Sequence, residues 1–277
     1  IAGARQARPN LPVGECPFCV GGIEAPEPYE VKAFANRWPM FAPGDPVELD
    51  PATGHAPARG ASEVVLYAPE HDATLASLGP ARVRKVIDLW AERTDALLAR
   101  PEVEYVLVFE NRGADAGATI AHPHGQIYAF PFVPPVPARE AQVAARDGCA
   151  LCAESPGDRL VTESGVWRAY VPYAAAHPYG MLIAPTAHIA ALSDLDDAGR
   201  DGLATVLADA LARLDRLFDV PFPYMLWIHP GVHLHLHIAP PRRAAHTLRY
   251  IASGEVGSGT LTIPVVPELA AEALRNA

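Results

Sequence analysis

No apolar run in this 277-residue sequence reaches the roughly 18 residues that a bilayer-spanning helix needs, so no membrane attachment is expected. There is also no charged segment leading into an apolar stretch and a small-residue cleavage site, the pattern of an export signal, and the expected location is the cytoplasm. Positive charge is in deficit: 22 Lys and Arg against 32 Asp and Glu leave a formal net charge of −10. Nucleic-acid binding needs a net basic face to displace counterions from phosphates, so nucleic acid is not expected as a partner. A small anionic substrate needs only a local basic pocket. Cysteine is scarce as well, with four residues in all. A chain of this length buries a sufficient core without disulfides, as one large domain or two medium ones. The four cysteines nevertheless fall as two close pairs, Cys16-Pro17-Phe18-Cys19 and Cys149-Ala150-Leu151-Cys152, a spacing that points to metal or redox work before structural disulfides.

What the sequence does contain is an internal repeat at long range. Each copy begins with a Cys pair. In the first, the strand-like Val64-Val65-Leu66-Tyr67 leads to Pro69-Glu70-His71, with Leu75 and Leu78 behind it. In the second, Met181-Leu182-Ile183 leads to Pro185-Thr186-Ala187-His188, with Leu192 and Leu195 behind it. An amphipathic helix follows in each, marked by Val83, Val86, Ile87 and Trp90, or by Leu203, Val206, Leu207, Ala210, Leu211 and Leu214. A strand comes next, Tyr105 to Glu110 or Tyr224 to Ile228, and then a histidine cluster: His122 and His124, or His233, His235 and His237. The expected fold class is α+β, with two histidine-triad-like halves that each pack a long helix on one face of an antiparallel sheet. Residues 1–140 form the first half and 141–277 the second. Pro134, Pro135 and Pro137 interrupt the chain near that boundary, and Ala138 to Arg146 is expected to form a short connecting helix.

Seven of the eleven histidines sit in these motifs, and that clustering favours a site over ordinary surface histidines. Around His122 the chain reads Phe109-Glu110-Asn111-Arg112-Gly113, then Gly117, Thr119 and His122-Pro123-His124-Gly125-Gln126-Ile127-Tyr128. A neutral imidazole can attack phosphorus without first losing a proton, and the phosphoramidate it forms is reactive enough to be displaced in turn. Gly125 lets backbone approach a phosphate, and the Gln126 amide can hydrogen-bond a non-bridging oxygen without supplying an acid proton. The bland alternative is a polar turn between two strands.

This stretch resembles the signature of the galactose-1-phosphate uridylyltransferase family, a branch of the histidine-triad superfamily. The resemblance runs from Arg5 to about Glu268 and is strongest from Phe109 to Tyr128. It implies a ping-pong nucleotidylyltransferase in which His124 takes the uridylyl group from a nucleotide sugar, UDP-glucose, and gives it to a sugar 1-phosphate such as galactose 1-phosphate. Histidine-triad hydrolases carry a third histidine where Gln126 stands, which speaks for transfer over hydrolysis. By the same resemblance Cys16, Cys19, His71 and His122 hold a structural Zn2+, a closed site of two thiolates and two imidazoles. A redox role for Cys16 and Cys19 is the weaker reading, because no thioredoxin-like context surrounds them.

The second half offers two ligand sets. Cys149, Cys152, His188 and His233 repeat the first zinc set, while Glu140, His229, His235 and His237 match the family's second metal site, which suits Fe2+ or zinc. The thiolate set ranks first, and both can be filled together. His233-Leu234-His235-Leu236-His237 also puts three imidazoles on one strand face, which makes His235 a rival nucleophile and a nucleotide hydrolase the consequence.

Substrate contacts implied by the resemblance are Arg5 and Arg8 as phosphate anchors, Asn36 and Asn111 at the base, Thr119 at the phosphate, and Arg249 and Glu255 in a sugar-binding segment lent to a neighbouring subunit of a homodimer. Gly254 departs from the family by replacing an aromatic residue that touches the hexose. The alternatives at this point are a nucleotide-sugar phosphorylase, using for example ADP-glucose and phosphate, and a non-catalytic nucleotide-binding protein.

Overall fold

The computed structural model describes residues 16–45 and 48–277. In chain order its elements begin with β1 (Lys32–Ala35), β2 (Ala61–Leu66), α1 (Leu75–Leu98), β3 (Tyr105–Arg112), β4 (His124–Phe130), α2 (Pro135–Asp147) and α3 (Ala150–Ala153). They continue with β5 (Leu160–Ser164), β6 (Trp167–Tyr170), β7 (Met181–Pro185), α4 (Asp197–Arg216), β8 (Tyr224–His229) and β9 (His235–Ala239). The chain closes with β10 (Arg242–Ala244), β11 (Thr247–Leu248), α5 (Ser253–Ser258) and α6 (Pro267–Asn276).

Both long helices start where local chemistry dictates. At α1 the side chain of Thr74 accepts from the backbone N–H of Ser77, and Ser77 reciprocates at the N–H of Thr74, which satisfies two end donors. One turn later Gly79 sits at φ 72°, and the helix restarts at Pro80, whose fixed φ and missing N–H suit a first helical position. Asp196 caps α4 through the N–H of Gly199. The apolar residues expected to face inward do so: Val83, Val86, Ile87 and Trp90 on α1, and Leu203, Val206, Leu207, Ala210, Leu211 and Leu214 on α4, are all buried in one core. The connecting helix α2 begins at Pro135, three residues before the position expected from sequence. The prolines that interrupt the strand also fall in the first turn, where no N–H needs a partner.

Among the described residues, nine strands form one antiparallel sheet in the order β1-β2-β4-β3-β8-β9-β7-β6-β5. The order reads almost as a mirror about the β3–β8 pair, where Glu110 lies opposite Leu226 and Asn111 opposite Met225. The sheets of the two halves are therefore joined edge to edge. Each edge strand satisfies the other's backbone groups, which removes two open edges. Helices α1 and α4 pack on one face with the main core between, including Val65, Tyr67, Ile127, Tyr224 and Leu236. Strand alternation sends His124, Gln126, Phe109, Asn111, Trp227, His229 and His237 to the opposite face. Among the described residues no helix is long and apolar enough to cross a membrane.

Candidate active site and metal centres

The helix-free face of the first half carries a cavity of about 360 Å3, within the range of small-molecule sites. His124 and Gln126 from β4, Asn111 from β3, and Asn36, Thr119 and Phe18 from the surrounding loops line it. The sequence-predicted residues Asn36, Asn111, Thr119, His124 and Gln126 are thus brought together. Arg5 and Arg8 lie outside the described residues. Arg249 and Glu255 line a separate cavity with Tyr250 and Thr262, not the one that His124 lines.

The geometry fixes the tautomer of His124. Its Nδ1 is 2.8 Å from the carbonyl oxygen of His122. A carbonyl can only accept, so Nδ1 donates and the neutral ring keeps its lone pair on Nε2. The ring of Phe18 packs against the imidazole with centroids 5.0 Å apart and limits how it can turn. At Asn36, Oδ1 accepts from the backbone N–H of Trp38 at 2.9 Å, which directs the amide's donor end away from its own turn.

Gly125 lies between the two pocket residues on the core face. A Cβ built there would come within 2.0 Å of the Tyr67 hydroxyl and 3.0 Å of the Phe109 carbonyl oxygen. Backbone and a buried ring cannot both yield, so Gly125→Ala is expected to shift β4 and lower turnover by about 100-fold, the effect of a misplacement near 1 Å. Steady-state kinetics beside a circular dichroism spectrum of the folded variant would check it.

Three groups of metal-ligating side chains stand on the same framework among the described residues. In the first, Cys19 Sγ is 3.5 Å from His71 Nδ1 and 3.7 Å from His122 Nδ1, with Cys16 beside them. In the second, Cys149 Sγ is 3.4 Å from His233 Nδ1, and Cys152 Sγ is 3.1 Å from His188 Nδ1 and 3.5 Å from His233 Nδ1. A tetrahedral ion with bonds of about 2.3 Å to sulfur and about 2.0 Å to nitrogen sets those atoms about 3.5 Å apart, so both sets have the right span. The outer contacts fit too. His122 donates from Nε2 to the carbonyl of Ala68 at 2.8 Å, and His233 from Nε2 to that of Pro185 at 3.0 Å, which leaves each Nδ1 facing the sulfurs. Burial and the neighbouring Cys16 sulfur push the Cys19 thiol up, so two thiolates would be held together there by a cation.

The third group joins Glu140 from α2 to His229, His235 and His237. Glu140 Oε1 is 3.0 Å from His229 Nδ1 and 3.8 Å from His235 Nε2. Burial opposes ionisation of Glu140, yet the hydrogen bond from His229 and the nearby His235 ring outweigh it and hold its carboxyl well below the usual range. His237 is half-buried, stacks on Trp227 at 4.7 Å and has its pKa lowered to about 3, first by desolvation and then by its histidine neighbours. The two ligand sets of the second half share no residue and are both assembled. His235 repeats the tautomer of His124, with Nδ1 donating to the carbonyl of His233 at 2.7 Å. Its Nε2 faces a carboxylate and two imidazoles, whereas His124 lines an open cavity.

Comparison with known proteins identifies the family. The family model described as galactose-1-phosphate uridyl transferase, N-terminal domain, matches residues 20–134, and the model for its C-terminal domain matches residues 149–277. The chain belongs to the galactose-1-phosphate uridylyltransferase family. A family member from Thermotoga maritima, galactose-1-phosphate uridylyltransferase, is 36% identical over all of this chain and 94% of its own length. An ADP-glucose phosphorylase from Arabidopsis thaliana is 27% identical, over 97% of this chain and 83% of that protein. A solved uridylyltransferase structure superposes with a TM-score of 0.88 at 30% identity, covering 98% of this chain and 93% of the other.

The structure also adds residues that sequence reasoning passed over. Trp38 and Tyr128 line the cavity, and Tyr67 and Glu110 back it from the core. Glu110 sits inside the quoted Phe109-Glu110-Asn111 motif, and the period of two in β3 was the signal that it must point away from the cavity.

Proposed function

We propose that this protein moves UMP between UDP-glucose and galactose 1-phosphate, with His124 as the covalent carrier. The observation that carries the reading is the His124 Nδ1–His122 carbonyl bond at 2.8 Å in a ring that lines the cavity. In the first half-reaction the Nε2 lone pair attacks the α-phosphorus. A P–N bond forms, the P–O bond to glucose 1-phosphate breaks, and the leaving phosphate takes the electron pair. The imidazole becomes positively charged as it acts, and the Nδ1–H donated to the His122 carbonyl stabilises it in place. In the second half-reaction a phosphate oxygen of galactose 1-phosphate attacks phosphorus, and the P–N electrons return to Nε2. Neither leaving group needs a proton, which suits a site whose nearest partner to His124 on β4 is the Gln126 amide and not an acid. Asn36, Asn111 and Thr119 bind nucleotide, and Arg5 and Arg8 anchor phosphate.

Cys16, Cys19, His71 and His122 would hold Zn2+, as would Cys149, Cys152, His188 and His233. Glu140, His229, His235 and His237 would hold Fe2+ or Zn2+. These ions would supply structural clamping of the strands that follow them. Their thiolate ligands fit a reducing, cytoplasmic setting. Arg249 and Glu255 would serve a neighbouring copy's site in a homodimer, since they line a cavity other than the one that holds His124. The two halves, 1–140 and 141–277, would divide the labour, the first reacting and the second supporting it.

Incubation with UDP-glucose plus galactose 1-phosphate is expected to yield UDP-galactose, and incubation with ADP-glucose plus phosphate to yield little product. A strong preference for ADP-glucose and phosphate would replace the transferase reading with a phosphorylase.

A further inference from the structure

The loop that sets Phe18 against the nucleophile is held by a hydroxyl from outside the cavity. From Cys16 to Ala25 the chain closes on itself, with the Glu24 N–H donating to the Pro17 carbonyl at 3.0 Å and the Gly21 N–H to that of Ala25 at 2.9 Å. Those bonds stay within the loop. A tie to the chain entering β4 comes from Tyr29, whose hydroxyl lies 2.7 Å from the Phe18 carbonyl, 2.9 Å from the Ala68 carbonyl and 2.9 Å from Nε2 of His122. The three partners belong to the Cys loop, the turn between β2 and α1, and the entry to β4. A hydroxyl has one proton to donate and can also accept. Both carbonyls only accept; the Phe18 oxygen is the nearer, and the Ala68 oxygen already receives the His122 Nε2–H at 2.8 Å. The hydroxyl proton therefore goes to Phe18, and the hydroxyl oxygen is left facing the His122 N–H. Tyr29 does this from outside the ligand space. Its ring is half-buried, packs against the cluster of Phe18, Ala25, Val64 and Leu66, and does not line the cavity.

We propose that Tyr29 is a positioning residue for His124: by donating to the Phe18 carbonyl and accepting from the His122 ring, its hydroxyl locks the loop that bears Phe18 to the chain that bears the nucleophile. Two contacts on His124 then share one anchor. The imidazole is held at Nδ1 by the carbonyl of His122, and its ring packs on that of Phe18 with centroids 5.0 Å apart. Phe18 also meets the His122 ring edge-on, at 6.1 Å. Without the hydroxyl, the Phe18 carbonyl loses this donor and the His122 Nε2–H loses this acceptor. The Phe18 loop is then free to shift against β4, and the imidazole to turn from the in-line approach that attack on phosphorus requires. The tie is separate from the metal-ligating atoms, because the hydroxyl meets His122 at Nε2 while Nδ1 faces the Cys19 sulfur. Its loss therefore acts on the attack, and leaves the proposed nucleotide contacts Asn36, Asn111 and Thr119 in place.

The inference rests on His124 being the nucleophile, and the experiment keeps the two apart. Wild type, Tyr29→Phe, Phe18→Leu and the double variant, each loaded to the same Zn2+ content, are compared for melting temperature, kcat, KM and the single-turnover rate of uridylyl-protein formation from UDP-glucose. Phe keeps the ring of residue 29 in its cluster and removes the hydroxyl alone. Tyr29→Phe is expected to fold, with kcat and the single-turnover rate both lower by about tenfold and KM within about threefold of wild type. A hydroxyl that served folding alone would lower the melting temperature and leave the rate per folded chain unchanged. Because Tyr29 acts partly through the Phe18 ring, the double variant is expected to lose clearly less than the product of the two single losses. The inference is overturned if folded Tyr29→Phe turns over within about twofold of wild type, if its loss falls on KM and not on the single-turnover rate, or if the two losses multiply in full. If Tyr29→Phe does not fold, the hydroxyl serves the fold and not the alignment, and the inference falls as well. Absence of uridylyl-protein in wild type would instead overturn the His124 reading itself.

Discussion

His124→Ala is expected to leave a folded protein whose transfer activity is lower by on the order of 10^4-fold or more, because the two-step route needs a nucleophile that no neighbouring group can replace. Gln126, next on the same strand face, is an amide, and Asn36 and Asn111 are amides too. None can form the covalent intermediate. The side chain of His124 lies on the cavity side and is absent from the main core, so its removal takes away chemistry and not packing. Measured as kcat with UDP-glucose and galactose 1-phosphate, with the melting temperature recorded beside it, the loss should fall on kcat alone. A His124→Gly variant opens room for free imidazole to occupy the same place, and partial recovery with added imidazole would separate lost chemistry from lost structure.

The second large effect is expected at the first Cys and His group. His122 is two residues before His124, and its carbonyl is the acceptor that fixes the nucleophile's tautomer. Its ring is buried, donates to Ala68 and faces Cys19, so an ion held there would pin the backbone that carries that carbonyl. Cys19→Ala, or chelation under mild heating, is expected to cost several kcal/mol of stability, a fraction of what structural zinc contributes in small domains. Activity should fall by about 100-fold or more in the fraction that stays folded, as His124 loses its fixed orientation. Cys152→Ala should cost stability with a smaller loss of activity, because the carbonyl of His233 orients His235 and not His124. Equal activity losses from the two variants would mean that the first group does not act through the nucleophile's orientation. Metal analysis of the purified protein would give the ion's identity in the same experiment.

Much of the fold could be read from the repeat. The helix faces around Trp90 and Leu207 and the strands around Val108 and Leu226 follow from apolar period alone, because burial on one face is what those patterns encode. The joining of the halves through β3 and β8 was not readable. Strand pairing between distant segments depends on backbone edges, which carry no side-chain signature. The cavity side of the site was legible because His124, Gln126 and Asn111 lie within one short motif whose alternation sends them to one face. Glu110 and Tyr67 were not, since a buried polar side chain looks in sequence like any residue between two strand partners. Arg249 and Glu255, expected from the sequence to belong to a segment lent to a neighbouring subunit, line a cavity other than the one that His124 lines. Glu255 accepts from Arg249 at 2.6 Å and from the Thr262 N–H at 2.8 Å, so this segment folds on itself by contacts only a few residues apart.

The most direct test of the His124 carrier is the intact mass of the protein after brief exposure to UDP-glucose alone. A gain of one uridylyl group in wild type, its disappearance on adding galactose 1-phosphate, and its absence from His124→Ala are the predicted results. Turnover without any mass gain, or a uridylyl group that forms equally on His124→Ala, would contradict the account.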